Sequence, residues 1–266
     1  MEVEYALYLP ENVIECLTMG TNSFIGLVDD TTVLKYPLIR SDKKAFAVLD
    51  LESRILQLIG PHKHIIGFKG LTDNGLLLER APFGSIAVYL ESNDPVLKQR
   101  LNWAYQATEA LTAVHKMHIL HRDISANNFL LDAGLNLKLS DFQGRVLAPN
   151  GDVVEDGLSI ESTKSSMPRC DSDYADWRTD IFALGSAFYY IMEGHEPYPD
   201  LDPYRDEEQI VERFTSGQFP EIGCSSMSRV IHKCWTAEFD SAEAVLYDLG
   251  FVHQRPTAGA PEETIH

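Results

Sequence analysis

Positive charge is scarce in this sequence. Lys plus Arg number 22 against 40 Asp plus Glu, a net charge of −18. A face basic enough to track a phosphate backbone is therefore excluded, and no nucleic-acid partner is expected. Long apolar runs are also missing. The best is Ile181 to Met192, far short of the roughly 20 residues a bilayer span needs, so no membrane insertion is expected. The only cysteines, Cys16, Cys170, Cys224 and Cys234, form no C-x-x-C pair. That reads as reduced thiols of a soluble cytoplasmic or nuclear protein. The opening residues, Met1-Glu2-Val3-Glu4-Tyr5, lack the basic start of a secretory signal. No repeat of roughly 20–50 residues and no low-complexity stretch interrupts the chain. Apolar residues at 44% and charged residues at 23% are ordinary globular values, which excludes wholesale disorder. A chain of 266 residues fits one large domain or two small lobes.

Periodicity divides the chain in two. Ser23 to Val28 and Thr31 to Lys35 are short β-type runs joined by Asp29-Asp30, a hairpin signal. Ala47, Val48, Leu51, Ile55, Leu58 and Ile59 then recur at helical spacing across Lys44 to Ile59, and Gly60-Pro61 stops them. Strands are predicted at Ile65 to Leu71 and Gly75 to Glu79, before Pro82-Phe83-Gly84 breaks the pattern. Leu97 to Met117 carries one apolar stripe, and Leu130-Leu131 with Leu137 to Ser140 brackets a turn. Gly144 to Asp176 is polar without sustained period, longer than an ordinary connector and thus functional in expectation. Ile181 to Met192 is apolar all round, a buried helix. Amphipathic helices are predicted at Glu207 to Phe214, Met227 to Trp235 and Ser241 to Leu249. The expected class is α+β, with a small β-rich lobe over 1–82 and a larger helical lobe over 83–266.

The chemistry concentrates in His121-Arg122-Asp123-Ile124-Ser125-Ala126-Asn127-Asn128. Phosphoryl transfer needs a carboxylate to orient the attacking hydroxyl and accept its proton, and an amide oxygen to hold Mg²⁺. Asp123 and Asn128 supply that pair. Eighteen residues past Asp123 comes Ser140-Asp141-Phe142-Gln143-Gly144. Mg²⁺ is held by one or two carboxylates together with phosphate oxygens, which suits Asp141. A predicted hairpin between the two motifs brings their ends together.

These two motifs resemble the catalytic and metal loops of eukaryotic protein kinases. The wider pattern is similar in style to small single-domain kinase-like proteins of fungi. The resemblance covers roughly Gly20 to Leu249 and implies a two-lobed kinase fold using ATP and Mg²⁺ on protein substrates. Lys35, in Thr32-Val33-Leu34-Lys35, matches the phosphate-binding lysine, and Glu52 matches its helix partner. Leu78-Glu79-Arg80-Ala81 resembles the gatekeeper and hinge, with backbone groups of Glu79 and Ala81 facing the adenine. Leu130 would lie beneath the adenine and Val33 above it. Asp180 matches the helix aspartate that ties down the catalytic loop. Gly20 keeps the first glycine of the nucleotide loop, Phe24 suits its apolar tip, and the residue roofing the adenine is Val28, if Gly26 marks a one-residue shift, or Leu27.

The sequence also departs from the family. Asn22 and Ile25 replace the other two glycines of the nucleotide loop, which weakens a cradle that needs close backbone approach. Ser125 stands where serine/threonine-specific members carry a lysine, and Asn127 where tyrosine-specific members carry an arginine. The transferring group therefore lacks one cation. Gln143 interrupts the metal loop before Gly144. Met167-Pro168-Arg169 replaces an Ala-Pro-Glu, and a reversed ion pair of Arg169 with Glu243 or a nearby acid is expected. Arg255-Pro256-Thr257, after the last predicted helix, is read as a coincidental Arg-Pro.

Bland readings weigh against several of these residues. Asp123, Asn128 and Asp141 have the composition of ordinary turns, and a lone Lys35 or Glu52 reads as a surface residue. Their joint order is what favours function. His115, His118 and His121 have no completing acidic or cysteine ligand and read as structural rather than zinc-binding. Asp200, Asp202, Asp206, Glu207 and Glu208 read as a solvated face at a helix start more than a selector of basic substrates. In the family, an arginine such as Arg122 marks members whose long loop is ordered by phosphate. Ser159, Ser162, Thr163, Ser165 and Ser166 are then candidate sites for an upstream kinase acting on the 144–176 loop. The resulting expectation is a protein kinase of low activity, serine/threonine-specific rather than tyrosine-specific. The alternatives are a pseudokinase that binds nucleotide or serves as a scaffold, and a small-molecule phosphotransferase.

Overall fold

The structure, a computed structural model, describes residues 8–20, 22–157 and 159–254. The expectations for Met1 to Tyr5 and for Arg255 to His266 lie outside those residues. Five antiparallel strands form the first part: β1 (Glu15–Met19), β2 (Ser23–Asp29), β3 (Thr32–Pro37), β4 (Phe68–Thr72) and β5 (Gly75–Glu79). Their order in the sheet is β1-β2-β3-β5-β4. β3 is central and buried along its length. Strand alternation sends Leu34 and Tyr36 to an outer cluster with Val13 and Phe24, and Val33 to the inner core.

Helix α1 (Lys43–Ile59) packs on the inner face of the sheet. Asp42 caps it, its carboxylate accepting from the Lys44 and Ala45 amides at 2.9 and 3.2 Å. Gly60, at φ 74°, ends it in a conformation that a Cβ would strain. Leu49, Leu51, Ile55 and Leu56 form its buried stripe.

The chain then turns helical, with α2 (Ile86–Ser92) and α3 (Leu97–Lys116). Trp103, Ala104, Ala107, Ala110, Leu111 and Val114 of α3 are completely buried. Strand β6 (Ile119–Leu120), the β7–β8 hairpin (Phe129–Leu131, Leu137–Leu139) and the β9–β10 hairpin (Arg145–Leu147, Val153–Asp156) lie between α3 and α4 (Trp177–Glu193). Helices α5 (Glu207–Thr215), α6 (Ser225–Trp235) and α7 (Ala242–Gln254) complete the described chain. α4 is the buried helix expected from Ile181 to Met192. A Cβ on its Gly185 would lie 2.6 Å from Cys234 Cβ of α6, so the two helices meet at the glycine. One continuous core joins the inner sheet face and α1 to the helical part. Among the described residues no helix is long and apolar enough to cross a membrane.

The segment expected to lack regular structure is only partly irregular. It contains β9, β10 and a 3-10 turn at Thr163–Ser165. β9 is made there by pairing with β6, Ile119 opposite Val146 and Leu120 opposite Arg145.

Candidate active site

Lys35 sits directly opposite Ile25 on the inner face of β3. Its ammonium donates to Glu52 Oε2 at 2.7 Å and also contacts Asp141 Oδ1. The Glu52 side chain is wholly buried, and its Oε1 accepts from the Phe142 amide at 3.4 Å. Burial works against the charge on Lys35, but Asp141 and Glu52 outweigh it and hold the ammonium above its usual range. Burial lifts Glu52 above an ordinary carboxylate, with Lys35 opposing. For Asp141 burial is again the largest influence, yet Lys35 and Gln143 outweigh it and keep the group below its usual range. Gln143 donates Nε2–H to Asp141 Oδ1 at 2.6 Å. Sequence reasoning treats that residue only as an interruption, whereas its side chain holds the carboxylate.

The loop carrying Asp123 is fixed from beneath by Asp180 of α4. Its two carboxylate oxygens accept from the His121 and Arg122 amides, each at 2.8 Å, and His115 Nε2 lies 3.0 Å from Oδ2. His121 points elsewhere, its Nε2 3.0 Å from the Ser140 carbonyl. His115 and His121 thus serve different partners, as structural histidines do. Asn128 donates to the Asp123 carbonyl and to Asp123 Oδ2, both at 2.8 Å. Burial raises Asp123, with Asp141 and Glu161 adding to the rise against His121 and Asn128. The β7–β8 hairpin closes the arrangement, since the Ser140 amide and hydroxyl both donate to the Asn128 carbonyl at 3.0 Å.

The donor set fits Mg²⁺. The Asn128 NH₂ is turned toward Asp123, which leaves its amide oxygen as an acceptor, and Asp141 supplies a carboxylate. Hard oxygen donors from one carboxylate and one amide suit a cation that draws its other ligands from phosphate and water. Among the described residues no group of three or more His, Cys, Asp or Glu could hold a metal alone.

Two expectations for the nucleotide loop are corrected. Val28 packs with the outer cluster of Val13, Phe24, Leu34 and Tyr36, away from the inner face. Leu27 stands opposite Val33. Phe24 is also on the outer face, 7% exposed with its ring 5.4 Å from that of Tyr36, and shields no cleft. Strand β2 begins at Ser23, and its pleat sends even-numbered side chains outward. Gly26 marks no shift of the loop. A Cβ there would fall 2.4 Å from Val13 Cγ1 and 3.1 Å from the Tyr36 ring. Gly20 remains at the turn, its amide donating to the Ser23 carbonyl at 2.8 Å.

Val33 lies within the inner core, and Leu130 is half-buried against the same core. At the connector after β5, the Glu79 amide donates to the Gly67 carbonyl at 2.7 Å and the Arg80 amide to the Thr31 carbonyl at 2.9 Å. The Ala81 amide has no acceptor among the described residues.

The expected Arg169–Glu243 pair does not form. Arg169 reaches Glu161 Oε2 at 2.8 Å, and Glu243 lies 3.6 Å from Lys116. Arg169 is held within its own loop, donating also to the Met167 and Ser172 carbonyls at 3.2 Å. Sequence reasoning does not reach Glu161. The signal available was Arg169 itself, since an arginine in that place demands a nearby acid. The acidic stretch after α4 behaves as helix-start chemistry: Glu207 and Glu208 occupy the first turn of α5, and Asp200 pairs with Arg213 at 2.8 Å.

Residues 29–242 match the family described as protein tyrosine and serine/threonine kinase. Fer-related kinase 1 of Caenorhabditis elegans is 28% identical over 65% of this chain, and the serine/threonine-protein kinase PKH1 of Saccharomyces cerevisiae is 29% identical over 55%. The serine/threonine-protein kinase CLA4 of Candida albicans is 30% identical over 65% of this chain. The matches span 46%, 21% and 19% of those relatives' own lengths. With the match covering most of its length, the chain belongs to the protein tyrosine and serine/threonine kinase family.

Proposed function

We propose that this chain transfers the γ-phosphoryl group of ATP to hydroxyl groups of protein substrates, serine or threonine in preference to tyrosine. The observation that carries the reading is the formed Lys35–Glu52 pair with Asp141 against the same ammonium. Kinase chemistry requires the lysine–glutamate pair and the metal-loop aspartate to be in place together. Lys35 would hold the nucleotide phosphates, and Asn128 and Asp141 would hold Mg²⁺. Mg²⁺ held by these two residues would supply charge neutralisation at the phosphates. Asp123 would accept a hydrogen bond from the substrate hydroxyl and take its proton as the new P–O bond forms and ADP departs. The adenine would lie between Val33 and Leu130, with Leu27 in the roofing place, the Ala81 amide donating and the Glu79 carbonyl accepting. Gly20 would bound the phosphate end.

Serine/threonine preference rests on Asn127, which stands where an arginine would favour tyrosine. Ser125 leaves the transferring group one cation short, so turnover is expected at or below the low end of the roughly 1–100 per second of active kinases. The same residue favours a second reading, nucleotide binding without transfer.

The deciding experiment is transfer of labelled γ-phosphate from Mg-ATP to the protein and to a mixed peptide pool, with Asp123→Asn and Asp141→Ala as controls. Label that appears on serine or threonine and vanishes in both variants supports the kinase. A melting shift with Mg-ATP but no label supports the second reading. Stabilisation of about 2.7 kcal/mol is expected at 100 times the dissociation constant.

A further inference from the structure

We infer that the Gly144–Asp176 segment is held in its ordered path by its own carboxylates, Asp156 and Asp173. They fill the site between Arg122 and Arg145, and the segment needs no added phosphate. The inference deepens the kinase reading, because Arg122 adjoins Asp123, but its structural arm stands without catalysis.

The two guanidinium groups are nearly buried, their side chains 2% and 8% exposed. Arginine cannot shed its proton, so two buried cations need matching anions. Asp156 bridges them, Oδ2 at 2.6 Å from Arg145 Nε and Oδ1 at 3.4 Å from an Arg122 terminal nitrogen. Asp173 repeats the bridge from the other side. Its Oδ1 lies 2.5 Å from Arg145 and 3.7 Å from Arg122, and its carbonyl accepts from Arg145 at 2.7 Å. Two positive charges thus face two negative ones, and an incoming phosphate would meet a site already neutralised. Asp173 is 78% exposed, so water competes for it, and Asp156 at 24% is the stronger clamp.

The four groups join four parts of the chain: the catalytic loop, β9, the end of β10 and the turn before α4. Arg122 itself is at φ 62°, a conformation that persists only where its surroundings fix it. The backbone is pressed close beside the clamp. The Gly157 amide donates to the Gly144 carbonyl at 3.0 Å, and a Cβ on Gly157 would fall 2.2 Å from the Gln143 carbonyl oxygen. Of the segment's hydroxyls, Ser166 meets Arg169 at 3.3 Å, a different arginine from the two that the carboxylates engage.

The test compares the full chain before and after phosphatase treatment, with mass spectrometry to establish the phosphate-free form. Limited proteolysis within 144–176 and label transfer from Mg-ATP are read on both forms. The expected result is equal protection and equal transfer, within about two-fold, since cleavage tracks the open population of the segment. Asp156→Asn is expected to raise cleavage about ten-fold, and the exposed Asp173→Asn, which carries little folding risk, about two- to three-fold. Phosphate-free protein cut about ten-fold faster than the phosphorylated form would overturn the inference, as would two aspartate variants cut no faster than the unaltered chain. Transfer by the phosphorylated form alone would also overturn the inference, whereas a protected, phosphate-free protein with no transfer from either form supports the clamp and counts against the kinase reading alone.

Discussion

Arg169 and Glu161 form an ion pair at 2.8 Å inside the loop that precedes α4, and the Glu161 side chain is entirely buried. Among the described residues, neither side chain bonds to the helices that follow. The loop is therefore braced across eight residues of its own length, not tied to α7 as the spacing around Trp235 implies.

Breaking that pair from one side should be costly. Arg169→Leu leaves the Glu161 carboxylate buried and unmatched, with Oε1 lacking a partner among the described residues. A loss of about 3–5 kcal/mol is expected for such an orphaned charge. The double variant Arg169→Leu with Glu161→Leu should recover most of it, because desolvation of both ions disappears. Urea unfolding of the three proteins checks this, and a single variant as stable as the double would sink it.

Asp180 makes the catalytic loop sensitive to acid. Burial alone would raise its carboxyl, but His115 and the backbone amides outweigh burial and hold it below the usual carboxylate range. A carboxyl depressed by folding stabilises fully above its unfolded value and loses that contribution as pH falls through the folded one. Asp180→Asn should therefore cost about 2–3 kcal/mol at pH 7, where an amide NH₂ would face backbone donors. As pH falls below the ordinary carboxylate range toward the folded value, the gap between the two proteins should narrow. Denaturant midpoints from pH 7 down to 3 measure it, and a gap constant with pH would contradict the assignment.

The sequence made most of the regular elements legible, because α1 and α3 announce themselves by apolar periodicity, α4 by being apolar all round and β5 by its turn-bounded run. β1 escaped notice because Glu15–Met19 is an edge strand exposed at four of five positions and carries no alternation. β10 is hidden for the same reason, and α2 is only seven residues long. The placement of Val28 and Phe24 failed on phase. A strand has a period of two, so reading Gly26 as a one-residue shift moves every side chain to the opposite face. Lys35, Glu52, Asp123, Asn128 and Asp141 needed no such phase, since their order along the chain and the kinase resemblance singled them out. The Asp156–Asp173 clamp was beyond reach because it depends on a β9–β6 pairing of residues far apart in sequence.

Gly26 should behave as a packing residue, not a nucleotide ligand. A methyl group there overlaps Val13 and the Tyr36 ring on the outer face. Gly26→Ala is expected to cost about 1–3 kcal/mol through overpacking. Val13→Ala should relieve much of that cost in the double variant. The Mg-ATP melting shift of the double variant should match that of the unaltered chain. A reduced shift in a stably folded Gly26→Ala/Val13→Ala protein would return the glycine to the phosphate site.

Ser125 offers the sharpest test of how the missing cation limits transfer. It is half-buried in the loop between Asp123 and Asn128, and among the described residues only its carbonyl is engaged, accepting from the Asn128 amide at 3.1 Å. Ser125→Lys keeps that backbone bond and adds an ammonium beside the developing charge. A group that acts on charge formed during transfer raises kcat more than it lowers KM. The expected gain is about ten-fold or more in kcat, with the KM for ATP nearly unchanged. Ser125→Met supplies a long side chain without charge and should give no gain. Equal rates for the lysine and methionine variants would mean that a step other than charge stabilisation limits this chain.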